Sequence, residues 1–196
     1  LVPEKVLGLI VPVAASTTHV AYSTVRMEPL WMGIGQVAGI AAHLSRKLQV
    51  EIKDVPVLQL QDILIKNHQI LTYFKDIDRA DKAFDAVQFW GTKGFFNSYL
   101  ARTKEKLSYQ DYNLWLSILR NMPNMPKDLS AGKPSKSVET VSISTIKKLT
   151  QALNKSGDLN LNADSWLYNK REKESEVLRG EACLAMYQLY QNTSLT

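Results

Sequence analysis

A short, almost wholly apolar run at residues 7–15 is the first clear feature of the hydrophobic pattern. The run is rich in β-branched residues and ends in a polar cluster at residues 16–19, which is typical of a buried β-strand with polar side chains at its carboxyl end. Pro12 has no N–H for a β-ladder, so it favours an edge position or the end of the strand. A second short strand is predicted over Val50–Val55, where apolar and polar residues alternate.

A buried helix and an amphipathic helix are predicted in the same part of the chain. The first, Leu30–Lys47, follows the favourable opening residues Glu28 and Pro29 and has basic residues in its last turn. The second, Pro56–Leu71, carries proline in its first turn. Together, these strands and helices predict a small α/β piece over residues 1–78.

Glycine is unusually frequent in the first of these helices. Gly33, Gly35 and Gly39 lie in its interior, and each costs about 1 kcal/mol relative to alanine. A stripe without side chains lets a helix lie close to another backbone or to a flat cofactor. Tight packing on a sheet and contact with a cofactor both explain the stripe.

The composition changes after about Asp78, where aromatic and polar residues replace glycine and alanine. We therefore place a module boundary there and expect a helical module of two hairpins over residues 79–196, with an exposed linker near 122–137 that is rich in proline and serine. The predicted helices of this module are Lys82–Trp90, Tyr109–Leu119, Ser144–Asn154 and Val177–Tyr190. The predicted fold class is mainly α, and α+β when the N-terminal piece is included.

Composition and charge exclude several classes of protein. With 45% hydrophobic and 22% charged residues, the 196-residue chain can bury a core. Its net charge of +5 is not gathered into one block and does not indicate a nucleic-acid partner. The single cysteine, Cys183, excludes an intrachain disulfide, and the three histidines lack metal-ligand spacing. No segment of the sequence is predicted to span a membrane.

One ordered set of residues carries a resemblance. The segment 16–39, STTHVAYSTVRMEPLWMGIGQVAG, resembles the C-terminal part of the FAD-dependent oxidoreductase family of two-dinucleotide-binding flavoproteins, and the similarity extends over Val6–Val55. The resemblance implies that the apolar strand closes an FAD domain. It also implies that the following helix starts at the pyrimidine edge of the isoalloxazine ring.

The resemblance also implies a set of functional residues. His19 is the candidate catalytic residue, with a structural histidine as the alternative, and Arg26 either adds positive charge or anchors its turn by pairing with Glu28. A helix start offers N–H donors and partial positive charge to the anion of reduced flavin. The candidate cofactor-binding residues are Arg26, Trp31, Met32, Gly33, Gly35 and Gln36.

The chain departs from this family at the nucleotide-binding end. It has no strand followed by a G-x-G-x-x-G turn and a helix, and Gly33, Gly35 and Gly39 have the wrong spacing for that motif. We therefore expect a C-terminal fragment that is inactive alone, lacks bound FAD and has the N-terminal remainder of its own polypeptide as partner. An exposed contact surface on such a fragment also favours a homodimer.

The second half shows a weaker resemblance to S-layer-homology repeats. It is carried by Ala83, the segment 91–95 (GTKGF), Leu107-Ser108 and the segment 177–182 (VLRGEA). This resemblance implies the alternative function, a non-catalytic module that binds cell-wall carbohydrate or another partner. Candidates for stacking on a sugar ring are Trp90, Tyr99 and Trp166.

Overall fold

The computed structural model describes residues 1–122, 125, 127, 129, 140–153 and 176–194, with side chains to 191. The chain divides into two compact units, Leu1–Ile70 and Leu71–Thr196. In the described residues, regular structure consists of helices and three isolated β-bridges. The mainly α part of the predicted fold class is therefore confirmed.

The first unit is built around one long helix. Its elements are α1 (His19–Val25), α2 (Glu28–Leu48), a 3₁₀ helix (Ile52–Asp54) and α3 (Val57–Lys66). Helix α2 packs against α3 and the 3₁₀ helix. The buried side chains that form this small core are Ala38, Ala41, Leu44, Val55, Leu64 and Ile65.

The two predicted strands of this unit are not observed. Residues 7–15 are irregular and largely exposed, with Leu7 at 68% exposure, and Val50–Val55 contains the 3₁₀ helix. A strand is stable only when its N–H and C=O groups pair with a neighbouring strand, and the described residues supply no such neighbour. The prediction of a small α/β piece is therefore not confirmed.

Helix α1 has no counterpart among the predictions. Thr18 caps it, because the Thr18 hydroxyl oxygen accepts a hydrogen bond from the Ala21 N–H at 3.3 Å. None of its residues is buried, so the helix leaves no amphipathic pattern in the sequence. The sequence signal for α1 is the capping residue Thr18 at its start.

The second unit contains the remaining helices of the described residues. They are α4 (Phe84–Thr92), α5 (Tyr109–Asn121), α6 (Ile143–Leu153) and α7 (Arg179–Ser194), so the four helices predicted there are confirmed with small shifts of their ends. Much of the predicted linker at 122–137 lies outside the described residues.

Helix α4 continues past its predicted end at Trp90, through Gly91 to Thr92. Gly91 lies inside the helix, where a Cβ would collide with the Thr72 side chain and lie 3.0 Å from Phe74 Cε2. Close packing therefore explains this glycine. The left-handed residue after the helix is Gly94, with φ of +85°.

A stack of aromatic rings forms the core of the second unit. Trp90 stacks on Phe95 with ring centroids 4.3 Å apart, and Phe95 stacks on Trp115 at 4.9 Å. Both indole N–H groups are satisfied: Trp90 donates to the Cys183 carbonyl at 2.9 Å and Trp115 to the Phe95 carbonyl at 2.8 Å. Buried tryptophans with satisfied donors stabilise one specific packing arrangement.

Three buried residues join the starts of three helices in a closed ring of main-chain hydrogen bonds. The Leu107 N–H donates to the Val177 carbonyl at 2.8 Å, Val177 donates to Val141 at 3.0 Å, and Val141 donates back to Leu107 at 2.8 Å. Each residue precedes a helix by two positions: α5, α6 and α7, respectively. The three helix starts therefore occupy equivalent places around one centre.

Candidate functional site

The start of helix α2 is the place where the sequence predicts contact with a cofactor. Met27 is the N-cap residue and its side chain makes no capping hydrogen bond. The first turn contains Glu28 and Pro29, and the Leu30 and Trp31 N–H groups bond to the Met27 carbonyl. A helix start carries partial positive charge, and the Glu28 carboxylate opposes part of that charge towards an incoming anion.

Trp31 carries an unsatisfied donor. Its indole Nε1 is buried and has no hydrogen-bond partner among the described residues. A buried donor without an acceptor costs about 1–3 kcal/mol. An acceptor from outside the described residues would remove that cost, so Trp31 is the candidate whose surroundings most clearly fit a missing group.

The three glycines of α2 have different surroundings. A Cβ on Gly33 would lie 2.9 Å from Gln69 Nε2, whereas a Cβ on Gly35 or Gly39 would meet nothing within 4 Å. Gly33 is therefore explained by packing inside this unit. The unit gives no packing reason for Gly35 or Gly39, whose smooth surface is open to another molecule or another part of a larger protein.

The other candidate residues of this region are exposed. Met32 is 77% exposed, and Gln36 is exposed on the same helix. His19 is the first residue of α1 and Arg26 is its C-cap residue, and both are exposed. Within the described residues no ion pair joins Arg26 to Glu28, and the role of Arg26 stays a prediction.

Apolar exposure is concentrated in the first unit. Most of the large hydrophobic side chains that the described residues leave exposed belong to it, including Leu7, Val20, Met27, Met32 and Val57. Single exposed apolar side chains are ordinary, whereas contiguous apolar patches are typical of interaction sites.

In the second unit, Arg179 is a buried cation at the start of α7. Its side chain forms an ion pair with Asp111 and donates through Nε to the Ala101 carbonyl at 3.2 Å. The guanidinium carbon lies 5.4 Å from the centre of the Trp115 ring and 5.7 Å from that of Phe96. Arg179 therefore links the start of α7 to α5 and to the aromatic core.

A cavity of about 170 Å³ opens beside the same helix start. Among its lining residues are Asp81 and Glu181, whose carboxylates accept hydrogen bonds from the Ala83 and Leu178 N–H groups at 2.8 and 2.9 Å. Lys82 and Lys104 also line the cavity, and neither forms an ion pair with the described residues. The two lysines offer ammonium donors at the rim, while the two carboxylates balance their formal charge.

The candidate residues for stacking on a sugar ring differ in exposure. Trp90 is fully buried, so it cannot present its face to a sugar, whereas Tyr99 is 70% exposed. Trp166 lies outside the described residues.

Metal and thiol chemistry find no support within the described parts of the chain. No group of three or more His, Cys, Asp or Glu residues there could hold a metal ion. Cys183 is completely buried, and burial raises the pKa of its thiol, which disfavours the reactive thiolate. None of the described helices combines the length and apolar character needed to cross a bilayer.

Comparison with known proteins gives one result that bears on function. The family model described as FAD dependent oxidoreductase matches residues 1–64, about a third of the chain. No curated protein and no solved structure matches the chain. The resemblance to the FAD-dependent oxidoreductase family is therefore supported for this first part, and the resemblance to S-layer-homology repeats stays a prediction.

Proposed function

We propose that residues 1–64 form one segment of the FAD domain of an FAD-dependent oxidoreductase, in which the start of α2 contacts the flavin. The family match over these residues is the observation that carries the proposal. The proposed cofactor-binding residues are Arg26, Trp31, Met32, Gly33, Gly35 and Gln36, and His19 is the proposed residue on the substrate side.

The surroundings of α2 fit a flat, anionic ring in two respects. The indole N–H of Trp31 needs an acceptor, and oxidised and reduced flavins both present oxygen and nitrogen acceptors. The open surface at Gly35 lets a ring approach the main chain closely. The negative charge of Glu28 disfavours an anionic ring at this helix start, and the positive charge of Arg26, two residues earlier, can compensate it.

The proposed chemistry is redox chemistry on an organic substrate. FAD, when bound, accepts or donates a hydride. The contribution of this chain is electrostatic, because partial positive charge at the α2 start stabilises negative charge at the pyrimidine edge of the ring. The Trp31 N–H would orient that edge by donating a hydrogen bond to it.

The chain by itself lacks the G-x-G-x-x-G motif that holds the FAD diphosphate. We therefore propose that the 196-residue chain alone neither binds FAD tightly nor turns over, and that its partner is the nucleotide-binding remainder of the same polypeptide. Titration of the purified chain with FAD should show no saturable change in flavin fluorescence. Stoichiometric binding by this chain alone would contradict the proposal.

The flavin contact is tested with a matched pair of variants in the full polypeptide. A Cβ at Gly35 or Gly39 meets nothing within 4 Å, and both glycines are exposed, so a larger side chain at either position can extend away from the unit. Gly35→Leu should lower the ratio of flavin to protein at least tenfold, and Gly39→Leu, one turn further from the helix start, should leave it within twofold of the unsubstituted protein. Equal flavin content in both variants would refute contact at Gly35.

The second candidate function is that of a non-catalytic module that binds carbohydrate or another partner through the second unit. The cavity beside α7 favours it, because Lys82 and Lys104 offer ammonium donors there to the oxygen atoms of a ligand, and Tyr99 offers an exposed ring. In a pull-down with acidic polysaccharide, the double variant Lys82→Ala/Lys104→Ala should lose retention. Lys148→Ala, which removes an exposed lysine of α6, is the matched control, and no retention of the unsubstituted chain would exclude this function.

The exposed apolar side chains of the first unit also favour self-association of the isolated chain. We propose a homodimer through this surface when the rest of the FAD domain is absent. Sedimentation at high concentration tests it, and a strict monomer would contradict it.

A further inference from the structure

We draw no further inference here: the strongest candidate, the cavity beside the start of α7 with Lys82 and Lys104 at its rim, belongs to the site already described for the carbohydrate-binding alternative.

Discussion

The ion pair between Arg179 and Asp111 offers a quantitative test of how the second unit is held together. The side chains of Arg179 and Asp111 are 9% and 32% exposed, respectively. The perturbations are Arg179→Met, which keeps much of the side-chain volume, and Asp111→Asn, which keeps the shape of the carboxylate but removes its charge.

The two single substitutions should differ in cost. Removing one partner of a buried ion pair typically costs about 3–5 kcal/mol, because the other charge is left uncompensated. Asp111→Asn leaves the more deeply buried cation behind, so we expect a cost of about 3 kcal/mol. Arg179→Met leaves the more exposed carboxylate, which water can solvate, so we expect about 2 kcal/mol.

The double variant separates the pair from its neighbours. If the two groups act as a pair, the combined cost should fall short of the sum of the single costs by about 2 kcal/mol. The pair Arg102 and Glu105, whose side chains are 50% and 61% exposed with N and O atoms 3.9 Å apart, is the control. Its coupling should be below about 0.5 kcal/mol, as is usual for exposed pairs.

The assay is urea unfolding followed by tryptophan fluorescence, because Trp90 and Trp115 are both fully buried in this unit. We expect a double-mutant cycle from four unfolding free energies, those of the unsubstituted chain, the two single variants and the double variant. Additivity within about 0.5 kcal/mol would refute the role of the pair in joining α7 to α5.

Further predictions concern packing and ionisation. Gly91→Ala should destabilise the second unit by about 1–3 kcal/mol because its Cβ overlaps the Thr72 side chain, whereas Gly35→Ala should stabilise α2 by up to about 1 kcal/mol. Thermal unfolding measures both changes. A stabilising Gly91→Ala together with a destabilising Gly35→Ala would contradict close packing at Gly91 and open space at Gly35. Cys183 should react with a thiol reagent at pH 8 only on unfolding, since burial raises the pKa of its thiol; rapid labelling of the folded chain would contradict its burial. Burial, with a smaller contribution from Tyr109, raises the pKa of Tyr112 to about 12. Between about pH 10 and pH 12 the folded chain therefore keeps a proton that the unfolded chain releases. The unfolding free energy should fall over this range by up to about 1.4 kcal/mol per pH unit more in the unsubstituted chain than in Tyr112→Phe. Equal pH dependence of the unfolding free energy in the two proteins would contradict the raised pKa.

Local signals in the sequence were sufficient to predict most of the helices. Pro29 and the basic last turn correctly indicated α2. Ser108, directly before the predicted start of α5 at Tyr109, caps that helix, because its hydroxyl oxygen accepts a hydrogen bond from the Asp111 N–H at 3.1 Å. Such signals depend on residues three or four positions apart, so one sequence contains them completely.

Features that depend on distant parts of the chain were not predictable in the same way. The apolar run at residues 7–15 has the composition of a buried strand, but a strand also needs partners that composition does not reveal. The ring of Leu107, Val141 and Val177 joins three separate stretches, and no periodicity connects them.

The candidate flavin site shows the same division between local and distant information. The unusual glycine content of α2 is visible in the sequence, but the difference between Gly33, which packs near Gln69, and the open Gly35 depends on the fold. The buried, unpartnered indole N–H of Trp31 likewise depends on the fold around it.

Hydrogen exchange of the full polypeptide, measured with and without FAD, tests whether the flavin contacts the start of α2. We expect FAD to slow exchange of the Trp31 indole N–H and of main-chain N–H groups in residues 28–36 by at least tenfold, while residues 40–48 of the same helix change by less than twofold. Uniform protection along α2, or FAD-dependent protection confined to other parts of the protein, would contradict contact between flavin and the α2 start.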